Sequence, residues 1–203
     1  MDANRRRTIL QLGALVVIFL LPVVLSTAIY FFGDQLTPQE TSAMGSLITP
    51  ARPLPVQAVA DPSGATAPLA ELFGKWTIVF LAREQCGPSC AQRLRDMNKV
   101  RQALGEDSHR AQTLLLVDRP VAGDVGEAFR ALREELPRLL VRTGGTDGLA
   151  GEFTESFNVD AAPWGRTYLV DPLGNLMMVY PAGTDPKWVL IDLRTLLKAS
   201  QIG

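Results

Sequence analysis

Between Thr8 and Phe32 the chain runs for 25 positions without a charge, and Arg5, Arg6 and Arg7 stand directly before that run. A helix rises about 1.5 Å per residue, so the run reaches across a hydrocarbon core of about 30 Å with some tilt. Gln11 lies near its entry end and Pro22 in its interior; one proline is tolerated in a membrane helix where neighbouring groups or water satisfy the freed carbonyl. Ser26-Thr27-Ala28 has the small residues of a cleavage site, but the apolar run continues through Ile29, Tyr30, Phe31 and Phe32, past a usual h-region of about 7 to 15 residues. The run therefore predicts an uncleaved single-pass anchor, held by the lipid bilayer, at residues 8–32. The arginine cluster stays on the cytoplasmic side, which makes residues 1–7 a cytoplasmic basic tail and sends everything after Gly33 outward.

The compartment outside a bacterial inner membrane is oxidising, so paired cysteines can cycle there. A mitochondrial inner-membrane protein would look similar, but the first seven residues, with Asp2 and one compact arginine cluster, do not resemble a transit peptide. The reading is an inner-membrane protein with its N-terminus cytoplasmic and its C-terminal domain periplasmic. Twenty basic residues against 21 acidic ones leave a net charge of −1, and no basic field is present to attract nucleic acid.

Residues 33–55 carry Pro38, Pro50, Pro53 and Pro55 among small and polar residues, which predicts an extended tether. Residues 56–203, about 145 positions, suffice for one domain with its own core and are too few for two. That domain alternates strand and helix signals. Trp76 to Leu81 is a short continuous apolar run with β-branched Thr77, Ile78 and Val79, as expected of a strand buried on both faces. Leu94, Met97, Val100 and Leu104 lie on one side of a helix running from the cysteines to Leu104. Thr113 to Val117 reads as a second buried strand, Glu127 to Leu136 as a helix stopped by Pro137, and Gly148 to Phe157 as a short helix. Thr167 to Asp171 and Leu176 to Tyr180 flank the turn Pro172-Leu173-Gly174-Asn175 as a hairpin, and Trp188 to Ala199 closes the chain as an amphipathic helix. The fold class is α/β, a sandwich of sheet and helices.

Only two cysteines occur, in Cys86-Gly87-Pro88-Ser89-Cys90, between the first strand and its helix. A bridge closing so short a loop would remove little unfolded-state entropy, on the order of 2 kcal/mol against above about 4 for a bridge spanning a domain. The pair is a poor staple and a good reaction centre. With the helix starting just after Cys86, the first sulfur lies among unpaired backbone N–H groups and the second one turn in, shielded beneath it. The exposed Cys86 should attack and the shielded Cys90 should resolve. Pro88 fits the first turn, where its missing N–H would be unpaired anyway.

These features resemble the thioredoxin superfamily and, within it, the Sco-type assembly proteins of cytochrome c oxidase. The resemblance covers roughly residues 56 to 200. It is carried by Gly74-Lys75-Trp76-Thr77-Ile78-Val79-Phe80, by the Cys-x-x-x-Cys spacing, by Leu116-Val117-Asp118, and by Tyr168-Leu169-Val170-Asp171-Pro172-Leu173-Gly174. The resemblance implies a thioredoxin-like sandwich, a central mixed sheet flanked by helices, behind one transmembrane helix. It also implies thiol–disulfide exchange with another protein, the copper-site cysteines of an oxidase subunit being the substrate. Sco-type proteins bind copper through the two cysteines and a histidine eight residues before the aspartate of the late strand; counting back from Asp171 reaches Pro163, so the family's third ligand is absent here. Pro163 instead resembles the cis-proline that faces the cysteines in thioredoxins, and Trp164 beside it would border the same substrate groove.

Two other readings fit the same residues. One is a copper chaperone in which Cys86 and Cys90 hold Cu(I), since two soft thiolates suit that ion. The other is a docking module that kept the fold and anchor and lost the chemistry. His109, the only histidine, falls at the far end of the cysteine helix and reads as a solvated loop residue. Met97 sits at core spacing, and Met177 and Met178 are strand neighbours of which only one can face a given side, so none is a strong ligand candidate. Glu127, Glu134 and Glu135 alternate with Arg130 and Arg133 as on an ordinary solvated helix face, and Gly144, Gly145 and Gly148 read as a loop.

Overall fold

The computed structural model describes residues 3–36, 43–55, 58–60, 65–83, 86–117, 125–143, 153 and 164–200. The chain forms two compact units, Met1–Ser42 and Ala43–Gly203. The first is helix α1, Ala3–Leu36, with Pro22 in its interior and the Thr27 hydroxyl donating to the Val23 carbonyl at 2.8 Å. Its stretch Gln11–Ala28 is apolar, exposed throughout, and long enough to cross a membrane.

In the second unit the described strands form one sheet. They are β1 (Ser46–Pro53), β2 (Ala58–Ala60), β3 (Thr66–Pro68), β4 (Trp76–Ala82), β5 (Ala111–Val117), β6 (Leu139–Thr143), β7 (Thr167–Val170) and β8 (Asn175–Tyr180), in the spatial order β1-β8-β7-β4-β5-β6-β2-β3. At its centre β4 and β5 pair in parallel, from Trp76 opposite Ala111 to Ala82 opposite Val117. Every residue of β4 is buried, which is why the strand reads as an unbroken apolar run rather than an alternation. Helices α2 (Pro88–Gln102) and α4 (Pro186–Ala199) cover the face of Ile78 and Leu169 through Met97, Val100, Val189 and Leu193. Helix α3 (Val125–Glu135) contributes Leu132 beside Leu94 over Phe80 and Leu115. The opposite face, with Val79, Leu81, Leu114, Leu116 and Tyr168, is covered by Leu54, Val59, the 3₁₀ turn Leu69–Leu72 and Phe153. The fold is the expected mixed sheet flanked by helices.

The elements predicted from strong periodicity are found within a few residues of their expected ends. The late hairpin turn forms because Asp171 Oδ1 accepts the backbone N–H groups of Leu173 and Asn175, while Oδ2 accepts the Asn175 side-chain amide. Gly174 has φ +88° there, and a Cβ at that position would run into the Phe73 ring. The helix expected over residues 148–157 lies outside the described residues except at Phe153.

The segment expected as a tether differs in part. Residues 46–53 are extended, as proposed for 33–55, but they pair antiparallel with β8, with a register break between Leu47 and Arg52 around the cis Thr49–Pro50 bond. Proline lacks a donor for a ladder on both sides, so it is admitted on an edge strand and masks that strand in the sequence.

The start of this unit is locked by one buried carboxylate. Asp192 on α4 accepts the N–H of Met44 at 2.9 and 3.0 Å, the N–H of Gly45 at 2.9 Å and the Tyr180 hydroxyl at 2.9 Å. Burial and the neighbouring Asp192 charge raise the Tyr180 hydroxyl pKa well above its ordinary value, so it stays a donor. A Cβ on Gly45 would strike the Tyr180 ring, so only glycine brings this backbone to the carboxylate. Replacing Asp192 with Ala orphans three donors and is expected to cost about 3 kcal/mol, seen as a lower urea midpoint with unchanged slope for the full chain in detergent.

Candidate functional site

Four residues beyond the end of β4 the chain reaches Cys86, and Gly87 then enters α2 with extended backbone, φ −69° and ψ −177°. No side chain caps this helix start; Pro88 occupies its first turn, and the Ala91 N–H closes that turn on the Gly87 carbonyl at 3.0 Å. Cys86 and Cys90 are joined as a disulfide, with their Cα atoms 5.1 Å apart. The expected pairing of these two sulfurs is thus present. The helix begins two residues after Cys86, which leaves the first sulfur just ahead of the unpaired N–H groups and the second inside the first turn.

The two sulfurs differ in access. Cys90 is 9% exposed and packs among Phe80, Ala82, Leu94, Leu115 and Val117, whereas Cys86 is half-buried at the rim of that cluster. Gly87, Pro88 and Ser89 are exposed, and a Cβ at Gly87 would meet nothing within 4 Å. Among the described residues, those that follow the outer sulfur into the helix are therefore exposed. In the reduced form the positive helix end favours a thiolate over a thiol.

Helix α2 is pinned on both flanks. Arg95 makes two parallel bonds to Glu135 on α3, at 2.6 and 2.9 Å, and this hydrogen bonding holds the Glu135 carboxyl below its ordinary pKa and raises that of Arg95. Arg93, one turn past Cys90, donates to the Thr184 carbonyl in the loop between β8 and α4. Neither link has a sequence signal, because the partners are remote along the chain and nothing in their own neighbourhoods marks them.

The chain leading into β7 runs along the same end of the sheet. Thr167 pairs with Phe80, and the Gly165 N–H continues the register by donating to the Leu81 carbonyl at 3.2 Å. Trp164 is accordingly beside the end of β4, from which Cys86 follows. Its ring is half-buried against the Val79, Leu81 and Tyr168 face, whereas Cys90 packs on the other face. Burial pushes the Tyr168 hydroxyl in that cluster up to about 12. Pro163 lies outside the described residues.

His109 is exposed in the 3₁₀ turn Gly105–Arg110 beyond the other end of α2, with Nδ1 2.7 Å from the Glu106 carbonyl. Met97 and Met178 are core residues, the Met178 sulfur 3.7 Å from the Tyr180 oxygen whose proton goes to Asp192, and Met177 is half-buried. Among the described residues no group of three or more histidine, cysteine or acidic side chains could hold a metal ion.

A family model described as transmembrane-like, thioredoxin-like, C-terminal domain matches residues 76–200, more than half of the sequence. The chain belongs to that family. No curated protein matches it in sequence. Solved structures similar to this thioredoxin-like chain include the following. ScoI from Arabidopsis thaliana with copper bound is 17% identical with a TM-score of 0.56, over 78% of this chain and 100% of that one. Yeast Sco1 is 18% identical with a TM-score of 0.55, over 77% and 98%. Apo Sco1 from Thermus thermophilus is 17% identical with a TM-score of 0.55, over 80% and 99%. At these identities the likeness establishes the shared thioredoxin-like fold.

The difference in burial predicts the order of modification. After reduction of the pair, Cys86 in the Cys90→Ser chain should react with a bulky maleimide at least roughly tenfold faster than Cys90 in the Cys86→Ser chain, measured by mass shift against time under native conditions.

Proposed function

We propose that this chain is a membrane-anchored, extracytoplasmic thiol–disulfide exchange protein acting on another protein during assembly of a respiratory cytochrome oxidase, at the cysteines of its copper site. The observation that carries the reading is the Cys86–Cys90 disulfide at the head of α2, with the outer sulfur half-exposed and the inner one buried. The basic residues before α1 support a cytoplasmic N-terminus and a periplasmic domain.

Exchange proceeds in two balanced steps. A Cys86 thiolate attacks one sulfur of a partner disulfide and forms a mixed disulfide, releasing the other partner sulfur as a thiolate. The Cys90 thiolate then attacks the Cys86 sulfur and frees the second partner thiolate, so the partner gains two electrons and the Cys86–Cys90 bond re-forms. A dithiol donor returns the pair to the reduced state, and the sequence run backwards oxidises a partner dithiol. Burial of Cys90 suits it to resolve, since an outside protein reaches Cys86 first. Pro163 is proposed to border the groove for the partner, whereas the Trp164 ring packs on the face of the sheet opposite the cysteines.

The exchange reading predicts that a Cys90→Ser chain accumulates a mixed disulfide with its partner. The adduct should be visible on a non-reducing gel, absent from Cys86→Ser, and identifiable by mass spectrometry as an oxidase subunit. Normal oxidase maturation with both cysteines replaced by serine would overturn the reading in favour of a docking module.

A second reading, Cu(I) carriage, is supported by the two soft donors and by the copper-bound state of the Arabidopsis ScoI structure. It requires the pair to be reduced, because a disulfide offers no thiolate. The exchange reading expects no sub-picomolar Cu(I) binding when the reduced chain is titrated against a competing chelator. Binding of that strength, lost in the double serine chain, would turn the reading to copper carriage.

A further inference from the structure

An exposed apolar patch lies where the chain enters its second unit. Met44 is 47% exposed, Leu47 40% and Trp188 46%. Leu47 pairs with Met178 and so points to the face of the sheet that α4 covers. Trp188 stands four residues before Asp192 on α4 and therefore one turn away along the same side of that helix. Because Asp192 binds the N–H groups of both Met44 and Gly45, it holds the Met44 backbone beside that turn. These links gather the three side chains at one corner of the domain.

Chain length limits where that corner can go. Helix α1 ends at Leu36 and the second unit starts at Ala43. Seven steps of extended chain reach at most about 25 Å. Tryptophan, with an apolar body and a polar N–H, is the side chain best suited to the boundary between lipid and water.

We infer that Met44, Leu47 and Trp188 form a contact surface for the lipid bilayer. The inference rests on the reading of α1 as a membrane anchor. It also constrains the partner. The start of β1, the end of β8, the start of β7 and the end of β4 share one end of the sheet, through Ser46 opposite Val179, Tyr180 opposite Thr167 and Thr167 opposite Phe80. Three strand spacings separate β1 from β4, about 15 Å. The disulfide that follows β4 is thus at the patch's end of the sheet, which favours a partner that presents its thiols close to a bilayer surface.

The three tryptophans of the chain are Trp76, Trp164 and Trp188 and none lies in α1, so tryptophan emission reads the domain alone. The test reconstitutes the full chain into vesicles of dibrominated phosphatidylcholine and compares emission with that in unbrominated vesicles. Bromine quenching is expected in the native chain and should be lost in Trp188→Phe. It should also be diminished in the Met44→Ser, Leu47→Ser chain, which keeps Trp188. Equal quenching in the native chain and Trp188→Phe, or none in either, overturns the inference. So does a Trp188-dependent dimer without quenching, which would assign the patch to a second copy. Flotation separates the two layers of the argument: a chain that floats with the vesicles while Trp188 ignores bromine defeats the contact surface alone, and a chain that does not float defeats the anchor and the surface together.

Discussion

The parallel ladder between β4 and β5 is the constraint on which the rest of the thioredoxin-like domain depends. Seven consecutive pairs fix β4 at the centre of the sheet, and burial of all seven of its residues requires a cover on each face. The helices supply one cover; the 3₁₀ turn, Leu54, Val59 and Phe153 supply the other. Because β4 is central and paired along both edges, with β5 and β7, the point at which the chain leaves it is fixed. The cysteines begin four residues later, so their place at the sheet end follows from the ladder.

The chemistry then depends on how α2 starts. Gly87 and Pro88 bring the backbone into the helix without a capping side chain, and both are exposed. Leu94 and Met97 seat the helix on the sheet, and Arg93 and Arg95 secure it to the loop after β8 and to α3. The result is one sulfur at the rim and one in the core, carried by a helix seated on the sheet. In the proposed exchange, that asymmetry puts the outer sulfur within a partner's reach and the inner one behind it.

Much of this was legible in the residues, for identifiable reasons. The buried run at Trp76, the helical spacing of Leu94, Met97 and Val100, and the Pro172 to Asn175 turn each carry a local signal strong enough to survive tertiary context. β1 was hidden by Pro50 and Pro53, which suit an edge but read as tether. β2, β3 and β6 are too short for periodicity to separate them from loop. The lock between Asp192 and Met44 joins residues 148 positions apart, and Arg95 meets Glu135 across 40, distances at which a single sequence is silent. At the site, the cysteine spacing and the deeper position of Cys90 followed from helix geometry. The side of the sheet taken by the Trp164 ring did not, because it is set by the Gly165 to Leu81 register.

Both rims of the sheet end in proline-bearing strands, β1 with Pro50 and Pro53 and the three-residue β3 with Pro68. A rim without a full row of donors is a poor template for a foreign strand. Tethered proteins are confined to two dimensions and meet one another far more often than the same number free in solution. These blunted margins discourage strand-to-strand polymerisation between copies gathered along a lipid sheet.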